Sequence, residues 1–160
     1  DLGQARNDNE RLTLSLFLAM EQGNFLTIMA ELCSEDFVWA NSGLPTLHGQ
    51  EAVGALFAKG GFRAEIPILA EQTHFSADVI HIASSDDAVL TERIDHHWAA
   101  DGRDLMAPHI AGVVEIKRGK ATALRDFYDI GCYRQAASAV SSSAAAPSWR
   151  QAAAPSWRPP

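Results

Sequence analysis

A change of hydrophobic period near Phe62 and Arg63 constrains this chain more than any other feature. Upstream of it, Leu12, Leu14, Phe17, Leu18 and Met20 fall on one broad helical face of residues 10–22, with Asn7 or Asp8 ahead as the N-cap. Gly23 and Asn24 stop that helix, and Asn24 caps a second short one running through Cys33. "EDFVWANS" reads as a short strand entering a loop marked by Gly43 and Pro45, and "GQEAVGALFAKGG" as a third helix closed by Gly60 and Gly61. Downstream, the runs 64–70 leading into 71–83, then 88–99, 105–117 and 121–133, read as strands. The later ones are joined by "SSDD", "ADGR" and "KRGK", hairpin signals with Gly or Asp where positive φ is needed. Helices first and antiparallel strands afterwards predict an α+β domain, with helices packed on one face of a curved, mostly antiparallel sheet.

With 160 residues, 47% of them hydrophobic, the chain supports one domain, residues 1–135, followed by a tail, 136–160. In the tail, "AAAPSWRQ" is followed by "AAAPSWRP", a near-perfect tandem duplication. It reads as a low-complexity appendage without a core, or more sharply as a peptide that anchors Trp149 and Trp157 on a neighbouring surface. A net charge of -7 argues against nucleic-acid or anionic-membrane partners, which the field would repel. A small neutral substrate fits better. Cys33 and Cys132 have neither metal-ligand spacing nor a disulfide-dense pattern, so a reduced, cytoplasmic protein is expected. No apolar run reaches the roughly 18–20 residues of a membrane span, and "DLGQARNDNE" lacks the basic-then-apolar order of a signal peptide.

Chemistry enters with "LTERID". On a strand, residues i and i+2 share a face, so Arg93 and Asp95 are neighbours and His97 is next in line. In "ALRDFYD", alternation puts Leu124, Asp126 and Tyr128 together on one face. If Asp126 shares a cavity with Arg93 and Asp95, two carboxylates are bridged by one cation. They do not both ionise easily, so one keeps a proton while the arginine holds the other anionic. The plain alternative is an ordinary salt bridge on a solvated sheet face.

The region from Trp39 to Asp129 resembles the limonene-1,2-epoxide hydrolase family, whose fold is nuclear-transport-factor-2-like, or SnoaL-like. The resemblance is carried by "WANSGLPTLHGQEAV", "LTERIDHHW" and "GVVEIKRGKATALRDFYD", the last looking like the family's glycine-led strand, turn and "WRDYFD" ending. It implies a cone-shaped pocket and a cofactor-independent, one-step hydrolysis of a small or medium apolar epoxide. In that chemistry Asp126 is general base on a water, Asp95 is general acid on the epoxide oxygen, and Arg93 holds them in opposite protonation states. Asn41 matches the family asparagine that holds the water; the same "ANSG" is also turn chemistry. Trp39 departs from the family tyrosine as third water contact, since an indole N–H donates one hydrogen bond but accepts none. Leu124 stands where the family often has Trp, which widens the pocket or moves its wall.

Pro108 and Ile110 match pocket-lining positions by register, with Leu124, Tyr128 and His97 completing the expected wall; His109 faces the other way. His97 either touches substrate, tunes Asp95, or is a structural histidine. The remaining histidines lack paired spacing and there is no HExxH, so no catalytic metal is expected. Neither a phosphate loop nor a G-x-S-x-G elbow is present. A homodimer is expected through an apolar outer sheet face that includes Phe127. Two other readings compete on this fold: an isomerase or cyclase of the ketosteroid-isomerase or polyketide-cyclase kind, and a non-catalytic ligand-binding module.

Overall fold

The computed structural model describes residues 2–134. The tail with Trp149 and Trp157, and the end of the expected domain at residue 135, lie outside the described residues.

Helix α1, Asp8–Glu21, begins where the Asn7 side chain accepts the Glu10 backbone N–H at 2.9 Å. Glu10 reaches back to accept the Arg6 N–H at 2.8 Å and also accepts the Ser84 hydroxyl at 3.0 Å, which ties the helix start to the sheet. Helix α2 is Phe25–Leu32, one residue shorter than expected, because Cys33 already has extended backbone and opens strand β1, Cys33–Asn41. Asn24 occupies the N-cap of α2 without a side-chain capping bond. A two-residue strand, β2 (Leu47–His48), precedes helix α3, Gly49–Ala58.

The run 64–70 is not strand. It folds as a short helix, α4 (Phe62–Glu65), and a 3₁₀ turn, Pro67–Leu69, because Pro67 fixes its own φ and takes the first helical position. Strands β3 (Gln72–Ser85) and β4 (Ala88–Ala99) form a long hairpin. The expected single strand 105–117 is divided at Pro108, which lacks a ladder donor, into β5 (Asp104–Met106) and β6 (His109–Lys117). Strand β7 is Lys120–Phe127 and stops short of the expected 133, where Asp129 accepts the Gly131 N–H and turns the chain. Asp86, Arg118 and Gly119 carry the positive φ angles of the tight turns.

The strands form one sheet in the order β2-β1-β7-β6-β4-β3, with β5 added to β4. Its pairs are antiparallel except β1 with β7. Helix α1 packs on the sheet, and Leu14, Phe17, Phe37, Val89, Val114 and Leu124 are among the side chains of the core between them. Burial alternates cleanly along the first part of β4: Val89, Thr91, Arg93 and Asp95 point inward, and Leu90 points out. Phe127 lies on the outer face, 53% exposed. No helix among the described residues is long and apolar enough to cross a membrane.

Candidate active site

Strand register assembles the polar centre. Arg93 lies opposite Ile110 on β6, Gly112 of β6 lies opposite Asp126 on β7, and Asn41 on β1 pairs with Asp126. Inward alternation then brings Arg93, Asp95 and Asp126 together: they are 1%, 6% and 5% exposed. The guanidinium Nε donates to Asp95 Oδ1 at 2.7 Å, and Nη2 is shared between Asp95 Oδ2 at 3.1 Å and Asp126 Oδ2 at 2.8 Å. Thr91 Oγ1 accepts Nη1 at 3.3 Å, and the Phe17 ring of α1 lies 4.5 Å below the guanidinium carbon. The solvated salt bridge weighed from the sequence is therefore not what forms.

A backbone feature makes this arrangement possible. A Cβ at Gly112 would sit 2.3 Å from Arg93 Nη1, 2.6 Å from Thr91 Oγ1 and 3.1 Å from Asp126 Oδ1. Only glycine leaves room for the guanidinium between strands β4 and β7.

Burial sets the electrostatics. It pushes the Asp126 carboxyl up to about 6, Arg93 opposing and Asp95 adding to the rise. Asp95 is raised by the same burial, against the pull of Arg93. Burial alone would lower Arg93, but the charges of Asp126 and Asp95 outweigh it and raise the guanidinium further. One cation facing two reluctant carboxylates favours a state in which the pair holds a single proton.

The centre opens on a cavity of about 490 Å³. Trp39, Asn41, His97, Pro108, Ile110 and Tyr128 line it together with the Arg93 cluster. Leu124 does not: it is buried in the main apolar cluster with Phe17 and Val114, two residues before Asp126 on β7 and opposite Trp39. Trp39 finds its room in an aromatic box, edge-on to Phe25 and Phe62 (centroids at 5.6 and 5.3 Å) and stacked on Phe57 at 6.1 Å. Its Nε1, like Asp126 Oδ1, is buried without a hydrogen-bond partner in the protein. His97 packs against Phe75, and burial pushes its imidazole down to about 4, so it is neutral throughout the physiological range. His109 faces outward and pairs with Glu92 at 2.8 Å. Among the described residues, no group of three or more His, Cys, Asp or Glu side chains is arranged to hold a metal ion.

The family model for the limonene-1,2-epoxide hydrolase catalytic domain matches residues 7–137. The chain belongs to the limonene-1,2-epoxide hydrolase family. Among solved structures it is similar to an epoxide hydrolase of that family's type from Mycobacterium tuberculosis, with 23% identity, 81% of this chain and 88% of that one covered, and a TM-score of 0.63. It is also similar to a nuclear-transport-factor-2-like protein from Burkholderia pseudomallei (15%, 84% and 95% covered, TM-score 0.61). A third is a protein with a ketosteroid-isomerase-like fold from Catenulispora acidiphila (13%, 79% and 92%, TM-score 0.62). At these identities the likenesses establish the fold, which is nuclear-transport-factor-2-like.

Three residues of the site escaped the sequence. Thr91 precedes Arg93 by two on the same strand face and was readable from alternation. Gly112 carried the signal of an isolated glycine inside a strand. Phe17 reaches the site through tertiary packing and left no local mark.

Proposed function

We propose that this protein is a cofactor-independent hydrolase that adds water to a small or medium apolar epoxide and releases a vicinal diol. The observation that carries the reading is Arg93 holding two buried carboxylates, one of which, Asp126, keeps a buried oxygen free of protein partners beside Asn41. Asp126 Oδ1 accepts a proton from the attacking water, the Asn41 carbonyl accepts its other hydrogen bond, and the Trp39 indole N–H donates to its oxygen. The remaining lone pair attacks an epoxide carbon. The carbon–oxygen bond breaks, and Asp95 protonates the leaving oxygen. A proton on Asp95 Oδ2, the oxygen with the longer arginine contact, leaves the 2.7 Å Nε–Oδ1 bond intact. The cycle closes when the proton gained by Asp126 is exchanged back to Asp95. Walls of Trp39, Phe57, Phe62, Leu69, Met106 and Ile110 suit an apolar substrate skeleton. A proton-shuttling isomerase needs only one carboxylate; the second one on the same guanidinium, with Asn41 alongside, favours hydrolysis.

The test is diol formation from a panel of cyclic and aryl epoxides, with kcat/KM followed against pH. Activity should fall about tenfold per pH unit below about 6, as Asp126 becomes protonated and can no longer accept from water. It should fall again at high pH, when the proton retained by Asp95 is lost. His97, neutral above about 4, adds no limb. A panel yielding no diol, or an activity flat across the acid range, would overturn the proposal.

A further inference from the structure

His97 stands on the inward face of β4, two residues beyond Asp95, opposite Phe75 on β3 and Met106 on β5. Its ring lies edge-on to Phe75 with centroids 5.5 Å apart, and Met106 carries the wall on into an apolar cluster with Ile66 and Leu69. A histidine kept for structure is held by hydrogen bonds to its ring. The His97 ring has none among the described residues: Nδ1 is buried without a partner, and Nε2, which is not closed off, opens on the cavity. Asp104 of β5 is turned elsewhere, accepting the His97 backbone N–H at 3.4 Å and bonded to His96 Nδ1 at 2.6 Å. Nor does His97 tune Asp95 by its charge, since burial pushes the imidazole down to about 4 and leaves it neutral. What remains is a neutral ring with unused hydrogen-bonding capacity in the wall of the cavity, where a bound group can reach it.

We infer that His97 forms a subsite for a hydroxyl group of the substrate, which makes the substrate an epoxy alcohol with an otherwise apolar skeleton. The inference rests on the hydrolase reading for the epoxide, while the subsite itself rests on the place of the ring and its unpartnered nitrogens. A neutral imidazole offers a donor at one nitrogen and an acceptor at the other, so Nε2 does one or the other according to tautomer. A hydroxyl both donates and accepts, and therefore satisfies either. A carbonyl can only accept, and an alkyl group leaves the nitrogen unpaired. A carboxylate or an ammonium group would give up its water at this wall without meeting an opposite charge on the neutral ring. Alternate residues of a strand lie about 7 Å apart, so the hydroxyl belongs on the far side of a ring-sized skeleton whose epoxide oxygen meets Asp95. Phe75 and Met106, flanking His97 on the neighbouring strands, then pack against the apolar part of that skeleton.

The test compares two epoxides of one cyclohexane skeleton, one bearing a hydroxymethyl group across the ring from the epoxide and the other its ethyl isostere. The wild-type protein should favour the alcohol by about 10–100-fold in kcat/KM, mostly through KM, because the hydrogen bond is made in the ground state and the transition state alike. His97→Leu should reduce that preference to within about twofold, and His97→Gln, which keeps a neutral donor and acceptor, should hold on to about threefold or more. Equal kcat/KM for the two epoxides in the wild-type protein, or an undiminished preference in His97→Leu, would overturn the inference. A readout independent of turnover is nitrogen-15 NMR of the His97 imidazole during titration with cyclohexylmethanol, which should shift the ring signals. If the wild-type protein hydrolyses neither epoxide, the hydrolase reading fails, and unshifted His97 signals are then what overturns the subsite.

Discussion

Replacing Asp126 with Asn is expected to lower kcat by about 10²–10⁴-fold while the protein melts at the same or a higher temperature at neutral pH. The activity follows from the carboxamide's inability to take a proton from water. The stability follows from linkage. A carboxyl whose folded-state value is about 6, above its ordinary 3.8, binds its proton more tightly folded than unfolded, so its ionisation removes stability as pH rises between those values. At about 1.36 kcal/mol per pH unit the loss at neutral pH is roughly 3 kcal/mol. Asn has the shape of the carboxyl without its charge, so the variant escapes that loss, and its advantage should vanish towards about pH 4. Parallel turnover assays and thermal melts at neutral and acid pH check both halves. Near-full activity removes Asp126 from the mechanism; a variant that melts lower by the same margin at both pH values contradicts the electrostatic account.

Arg93→Met should do the opposite to stability. It leaves two buried carboxylates facing each other without the cation that joins them, and breaking such a cluster from one side typically costs about 3–5 kcal/mol. Both carboxyls then rise further, so the folded state gains protons in acid and loses stability as pH increases through their new values. Urea unfolding should show a large deficit at neutral pH that narrows near pH 5, together with loss of turnover. Wild-type stability at neutral pH would mean that the guanidinium does not carry the cluster.

The two substitutions separate what the sequence made legible from what it did not. Strand alternation alone puts Arg93 beside Asp95 and Asp126 on the same face as Tyr128, because a period of two is enforced once one face is buried. The α+β order was legible from the change of period at Phe62. The failures were local and physical. Residues 64–70 carried strand-like apolar residues but also Pro67, whose fixed φ favoured a helical turn. Leu124 shares a face with Asp126, yet α1 covers that part of the sheet, so facing inward did not mean facing the cavity. Which strand lies next to which is set by tertiary packing, and that is why the Asn41–Asp126 pairing and the Phe17 contact had no signature in any single segment.

The measurement that bears most directly on the central claim is a single turnover with enzyme in excess over an apolar epoxide in oxygen-18 water. Direct attack on the ring carbon by the water held at Asp126 and Asn41 puts one oxygen-18 atom into the diol in that first turnover. If instead a carboxylate attacked the ring and formed an ester, the first diol would carry the enzyme's own unlabelled oxygen and the label would appear in the Asp95 or Asp126 side chain, contradicting the account.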